Sequence, residues 1–241
     1  MKQKKLKKLK NKAKVNGRIG FRGYTTADLV PKGQGAYTIG GKHITNCVID
    51  FSNPAVLNGL LAYATEKKIP AVICTTGFSA EQVAQIKSAS EKTAIFYSGN
   101  MSLGINLLIE LAKKATQVFG CAFDVEIVEK HHNQKLDAPS GTALMIADGI
   151  SEVMQQEPQY VYDRHSYRKK REKNEIGIHA VRGGTIVGEH EVIFAGHDEV
   201  LTITHQAQSK EVFAIGSINA AVYLKGKNSG MYDMSDMLQG K

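Results

Sequence analysis

From residue 46 onward, apolar runs and amphipathic stretches alternate in a regular order. NCVIDFS (46–52) is an apolar run that predicts a strand. Asn53-Pro54 then opens a helix, since proline is tolerated in a first turn. AVLNGLLAYATEKK (55–68) sets Val56, Leu57, Leu60, Leu61 and Ala64 on one helical face. IPAVICTT (69–76) predicts a second strand, FSAEQVAQIKSAS (78–90) a second helix and TAIFYS (93–98) a third strand. SLGINLLIELAKKATQVF (102–119) predicts a long amphipathic helix opened by Ser102. Near-continuous apolar strands separated by helices argue for a parallel sheet covered on both faces.

After Asp124 the period changes. FDVEIVEKHH (123–132) alternates with period two, as a half-buried strand does. SGTALMIADGISEVM (140–154) predicts a helix, and EIGIHAVRGG, TIVGEHEVIFAG and EVLTITHQAQS predict strands separated by glycine-containing turns. This half is expected to form an antiparallel or mixed sheet with one open face. VFAIGSINAAVYLKG (212–226) is expected to be the last helix, and AYTIGGKHI (36–44) a hairpin turning at Gly40-Gly41. The fold class is therefore α/β.

Charge changes the picture at one end only. The 241-residue chain has 31 Lys+Arg and 23 Asp+Glu, a net charge of +8. Eight of those lysines lie within residues 1–14, and setting them aside leaves 23 basic residues against 23 acidic. The excess describes a solvated basic arm, so no nucleic-acid partner is expected. Cys47, Cys74 and Cys121 are too few and too scattered for a disulfide framework, and suit reduced thiols in the cytoplasm. No apolar stretch approaches the ~20 residues of a membrane span, and no apolar segment follows the basic N-terminus as in a secretory signal.

Ligands of open parallel sheets bind at the carboxyl ends of the strands. Thr75-Thr76-Gly77 and Ser98-Gly99-Asn100-Met101 stand at two such ends and suit an extended dinucleotide, although ordinary strand-to-helix turns use the same residues. The densest constellation is EIVEKHHNQKLDAPSGTAL (126–144). A strand delivers His131 and His132, Lys135 follows, and Ser140, Gly141 and Thr142 begin a helix whose N–H groups and dipole could hold a carboxylate. Adjacent histidines on a strand point to opposite faces, so a shared metal is not expected. A histidine titrating near neutrality, a cation and an anion-binding helix start together suggest an acid–base site for an anionic small molecule. A strand–loop–helix connection with Ser140 as N-cap accounts for the same residues. Arg182 could meet a second carboxylate or sit solvated in a turn.

On these residues the chain resembles the 4-hydroxy-tetrahydrodipicolinate reductase (dihydrodipicolinate reductase) family of lysine and diaminopimelate synthesis. The likeness continues in VIDFSNP, TTGFS, SGNMSLGINLL, IGIHAVRGGTIVGEHEVIFAG, ITHQAQSK and GMYDMSDML, and covers about residues 46–238. The resemblance implies a Rossmann-like cofactor domain (15–103 and 214–241), a mixed α/β substrate-binding and tetramerisation domain (104–213), and a cytoplasmic homotetramer. It implies NADH or NADPH as hydride donor and a small dicarboxylate as substrate. His131 is then the catalytic acid/base with Lys135 as its partner, and His132, Ser140, Gly141 and Thr142 bind substrate. Cys74 (where the family often has glycine), Thr75, Thr76, Ser98, Gly99, Asn100 and Met101 contact cofactor. The family opens with an apolar strand running into a glycine-rich phosphate loop. Here Gly17, Arg18 and Ile19 resemble the end of that loop, but Lys14 takes its first glycine and a lysine-rich segment replaces the strand. Asp28, Arg22 and Lys32 are the residues left to meet the ribose. This shortened N-terminus raises an alternative, a homologue that keeps the substrate domain but has lost dinucleotide binding.

Overall fold

The computed structural model describes residues 47–240 and, ahead of them, the backbone of strands β1 (Ala27–Asp28), β2 (Tyr37–Ile39) and β3 (Lys42–Ile44). The basic arm 1–14, Gly17, Arg18, Ile19, Arg22, Lys32 and the Asp28 side chain lie outside the described residues. The further elements, in chain order, are β4 (Val48–Asp50), α1 (Leu57–Lys67), β5 (Ala71–Ile73), α2 (Ala80–Ser90), β6 (Ala94–Tyr97), α3 (Leu103–Phe119), β7 (Asp124–His131), α4 (Gly141–Ser151), β8 (Gln159–Val161), β9 (Glu175–Arg182), β10 (Gly188–Ala195), β11 (Val200–Ala207), α5 (Glu211–Tyr223), β12 (Gly230–Tyr232) and α6 (Met234–Gln239). They divide into two units. One is the chain up to Met101 together with Ala214–Lys241, and the other is Ser102–Phe213.

In the first unit, β4, β5, β6 and β12 run parallel, and β1 adds antiparallel beside β4. The strands Val48–Asp50 and Ala71–Ile73 are buried along their whole length, as strands covered on both faces must be. Leu57 of α1 and Ile86 of α2 pack with Ile73 and Ile95 of the sheet. Helix starts are fixed locally. Asn53 accepts the Ala55 N–H ahead of α1, and Ser79 and Gln82 form a reciprocal capping box at α2. Residues 212–226 are not the last element, because β12 and α6 follow them. Gly230–Tyr232 is too short to show a period; its strand character comes from pairing with Ala94–Phe96 of β6. The two strands expected on either side of Gly40-Gly41 are β2 and β3, which pair antiparallel; the two glycines lie outside the described residues.

The second unit is a mixed sheet in the order β11-β10-β7-β9-β8, with β7 parallel to β9 and antiparallel to β10. The helices α3 and α4 cover one face, where Leu108, Ala112, Ile146 and Ile150 meet Ile127, Ile178, Val192 and Phe194. The uncovered side is polar along β7. There Glu126 receives Arg164, Arg171 and His179, which straps the charged loop after β8 onto the sheet. Gly177 makes this seat, since a Cβ there would stand 1.8 Å from the Glu126 carboxylate.

Candidate active site

Period two along β7 carries Val125, Ile127, Glu129 and His131 to the helix-covered face. The first two feed the core. The last two form a polar cluster at the carboxyl end of the strand. The Glu129 side chain is 0% exposed. One carboxylate oxygen accepts from His131 Nδ1 at 2.5 Å and from Arg182 at 2.8 Å. The other accepts from Arg182 at 2.6 Å and from the Ser140 N–H at 3.0 Å. Arg182 reaches across because its strand β9 pairs with β7 in the register His131↔Arg182. Burial pushes the Glu129 carboxyl up, but Arg182 and His131 outweigh it and hold the group below the usual carboxylate range. For His131 burial wins and lowers the pKa, with Glu129 opposing it and the Lys135 and Arg182 charges adding to it.

A second histidine sits beside the first. His190 of β10 is 4% exposed, and its ring lies 5.2 Å from that of His131, edge to face. Ser140 caps α4 by accepting the Ala143 N–H, so its own hydroxyl hydrogen is available to His190 Nε2, 3.1 Å away. Burial, reinforced by the neighbouring His131, pushes His190 down to about 4, and it is neutral near pH 7. Opposite His131 stands Gly188, where a Cβ would lie 3.1 Å from His131 Nε2. Only a residue without a side chain leaves that nitrogen clear.

Beyond β7 the chain turns, with the Lys135 N–H donating to the His132 carbonyl, and His132 itself partly buried. Lys135 Nζ lies 2.7 Å from the Asp137 carboxylate, and Arg182 also donates to the Asp137 carbonyl at 2.6 Å. Burial works upward on the Asp137 carboxyl, but Lys135 and the backbone N–H groups of Asp137 and Gly141 hold it low. The cation and the helix start expected to serve a substrate carboxylate are thus already turned toward one carboxylate of the protein. Of the residues singled out in sequence, His131, Ser140, Gly141 and Lys135 are drawn together here. Arg182 is neither solvated in a turn nor held out for a ligand. Its partner is Glu129. Sequence does not single out Glu129 or Gly188, and reads His190 as a satisfied structural histidine. The available signal was a carboxylate in phase with Val125 and Ile127, at a position that periodicity assigns to the core.

In the first unit, the carboxyl ends of β4, β5 and β6 carry Asp50, Cys74-Thr75-Thr76 and Ser98 through Met101. Asp50 accepts from Ser52 and from the Thr75 hydroxyl at 2.7 Å, and Ser98 accepts the Asn100 N–H while donating to its carbonyl. Cys74, Thr75, Ser98, Asn100 and Met101 are buried, whereas Thr76 and Gly99 are exposed. Burial raises the Cys74 thiol well above its ordinary value, so it is a packed thiol and not a thiolate. After Cys74 the turn at Gly77, with φ 81°, is open, with no atom within 4 Å of where a Cβ would stand. Short polar residues that satisfy one another around an open strand edge fit an extended dinucleotide.

A parallel-sheet unit with such an edge, and a mixed-sheet unit carrying a buried acid–base cluster, define the class: an α/β oxidoreductase of the dinucleotide-dependent type. Residues 34–101 match the family profile described as dihydrodipicolinate reductase, N-terminus, and residues 104–238 that of its C-terminus. The chain belongs to the dihydrodipicolinate reductase family, a family of NAD(P)H-dependent oxidoreductases. It is 54% identical over 198 residues to the 4-hydroxy-tetrahydrodipicolinate reductase of Caldanaerobacter subterraneus subsp. tengcongensis, covering 82% of this chain and 78% of that protein. It is 53% identical over 191 residues to the enzyme of the same name from Clostridium tetani, covering 79% and 74%. A dipicolinate-bound dihydrodipicolinate reductase from a Paenisporosarcina species superposes with a TM-score of 0.64 at 26% identity, covering 78% of this chain and 71% of that one. The match begins at residue 34, twelve residues earlier than the motifs suggested, but it leaves Gly17, Arg18 and Ile19 outside. These relatives support a working reductase and not the cofactor-impaired alternative.

Proposed function

We propose that this chain catalyses the NADH- or NADPH-dependent reduction of 4-hydroxy-tetrahydrodipicolinate to tetrahydrodipicolinate, a step of lysine and diaminopimelate synthesis. The observation that carries the reading is the buried cluster of His131, Glu129 and Arg182 at the start of α4, with the Lys135 charge felt at His131. The hydride for the substrate's C4 is supplied by the reduced nicotinamide when bound. His131, helped by Lys135, delivers the proton to the neighbouring carbon. His132, Ser140, Gly141 and Thr142 receive the substrate carboxylates at the helix start, where the helix dipole favours anions. That orients the ring before the chemistry begins. Cys74, Thr75, Thr76, Ser98, Gly99, Asn100 and Met101 form the cofactor contacts of the first unit, and sequence alone adds Gly17, Arg18 and Ile19. On this reading the cofactor domain is 15–103 with 214–241 and the substrate domain 104–213, close to the division of the chain at Met101 and Phe213.

The same reading makes the protein a cytoplasmic homotetramer joined through the mixed sheets. Val200 and Leu201 support this, being 63% and 41% exposed on the edge strand β11. The free cysteines Cys47, Cys74 and Cys121 support a reducing compartment. A coupled assay with freshly made substrate and each cofactor tests the activity. His131→Gln and Lys135→Ala are each expected to lower kcat by about 100-fold or more with the thermal melt unchanged. Near-normal turnover in the double variant would sink the assignment.

A further inference from the structure

We infer that Glu129, clamped by Arg182, is the positioning carboxylate of His131: it holds Nδ1–H inward, so that only Nε2 faces the reacting carbon, and it is the counter-ion of the imidazolium. The inference rests on the proposed reading of His131 as the proton donor.

Three observations carry it. The first is geometric. Every hydrogen bond described for the Glu129 side chain comes from an element that builds the site: the His131 ring on β7, two arms of Arg182 on β9, and the Ser140 N–H at the start of α4. The carboxylate is fully enclosed and cannot turn away. The second is electrostatic. The charged and titratable groups around His131 are Glu129 on its own strand, Arg182 from β9, His190 from β10, and Lys135 from the following loop. Burial, Arg182 and Lys135 all disfavour a positive ring, and Glu129 alone favours it. Without it the proton donor would have to charge beside two cations, and the other carboxylate of the cluster, Asp137, is already paired with Lys135. The third is that stability gives no reason for the carboxylate. Val125 and Ile127 occupy the preceding positions of the same face, and an apolar residue in phase with them would serve packing. Buried ion pairs replaced whole by apolar groups often leave stability unchanged or improved.

The proton balance is simple. Nε2–H of the imidazolium passes its proton to the substrate carbon, leaving the neutral Nδ1–H tautomer still bonded to Glu129. The carboxylate takes up no proton. Which nitrogen of a neutral histidine keeps its hydrogen is set by the bond that the other makes. Gly188, with no side chain near Nε2, leaves the departure side open.

The test uses the full-length enzyme. In Glu129→Gln, kcat is expected to fall about 10- to 100-fold with substrate KM within about twofold, as when the orienting partner of a functional histidine is lost. The alkaline limb of the kcat–pH profile, where the acid loses its proton, is expected to move about one unit or more to lower pH, because an anion that favoured the charged ring is gone. Glu129→Asp is expected to recover part of both effects. In the unmodified enzyme, nitrogen-15 spectra of labelled histidine are expected to show neutral His131 protonated at Nδ1, a result that does not depend on any variant folding. A dominant Nε2–H tautomer in the unmodified enzyme overturns the inference, and so does a folded Glu129→Gln enzyme with unchanged kcat and an unmoved limb. If His131→Gln itself retains turnover, the proton-donor reading fails instead. If His131→Gln is dead while Glu129→Gln is normal, only the positioning inference fails.

Discussion

At the scale of single residues, function depends on clearance as much as on reactive groups. Gly188→Ala places a methyl 3.1 Å from His131 Nε2, while Glu129 prevents the ring from swinging away. We expect kcat to drop by about 10-fold, since small displacements of positioned groups are costly, with cofactor affinity by calorimetry unchanged. Affinity falling in step with kcat would instead indicate general disruption. Part of the candidate cluster is legible at this scale. His131, Lys135, Ser140 and Gly141 announce themselves because polar residues of three kinds converge where packing needs none. Glu129 did not, because an acid on an alternating strand passes for a solvent-facing position. Only strict phase with Val125 and Ile127 places it inward. Sequence leaves Arg182 open between a ligand and solvent, because its partner lies on another strand, 53 residues away in sequence.

Elements held by local chemistry were legible, and those held by distant pairing were not. Ser79, Ser102 and Ser140 mark helix starts because a capping hydroxyl acts within three residues. Strand β12 and helix α6 went unread because Gly230–Tyr232 becomes a strand only beside β6. One helix contact is set by a glycine. A Cβ on Gly216 of α5 would stand 1.6 Å from the Met101 carbonyl oxygen, backbone against backbone, with no flexible group to yield. Gly216→Ala is therefore expected to destabilise the protein by about 1–3 kcal/mol, the range of overpacked cores. It should also weaken cofactor binding, because Met101 ends the loop after β6. A urea midpoint within error of the unmodified protein would refute this.

For the whole molecule, the histidines set an acid limit above that of the carboxylates. Burial lowers His190 from 6.5 to about 4, and lowers His131 and His205 in the same direction. The unfolded chain then binds more protons than the folded one, so stability is complete above the unfolded pKa and falls as pH falls through that interval. For His190 the loss by pH 4.5 is on the order of 2–3 kcal/mol. Carboxylates such as Glu126, held low by their cations, act in the same direction at lower pH: their stabilisation is lost only below about 4.3. Urea midpoints measured from pH 7 to pH 4.5 should therefore decline, and His190→Gln should flatten the decline; equal slopes in both proteins would contradict it. The alternating layout was legible down to the class of each sheet, but what precedes residue 34 was not, because a lysine-rich segment carries no period. The division of the chain also has a consequence for synthesis. The ribosome releases all of Ser102–Phe213 before it makes β12, α6 and most of α5, which complete the other unit. Until then β6 keeps an unpaired edge, the kind of edge that recruits strands from other chains. The nascent protein therefore passes through a stage in which its mixed-sheet unit is fully written, while its parallel-sheet unit still waits for its closing strand.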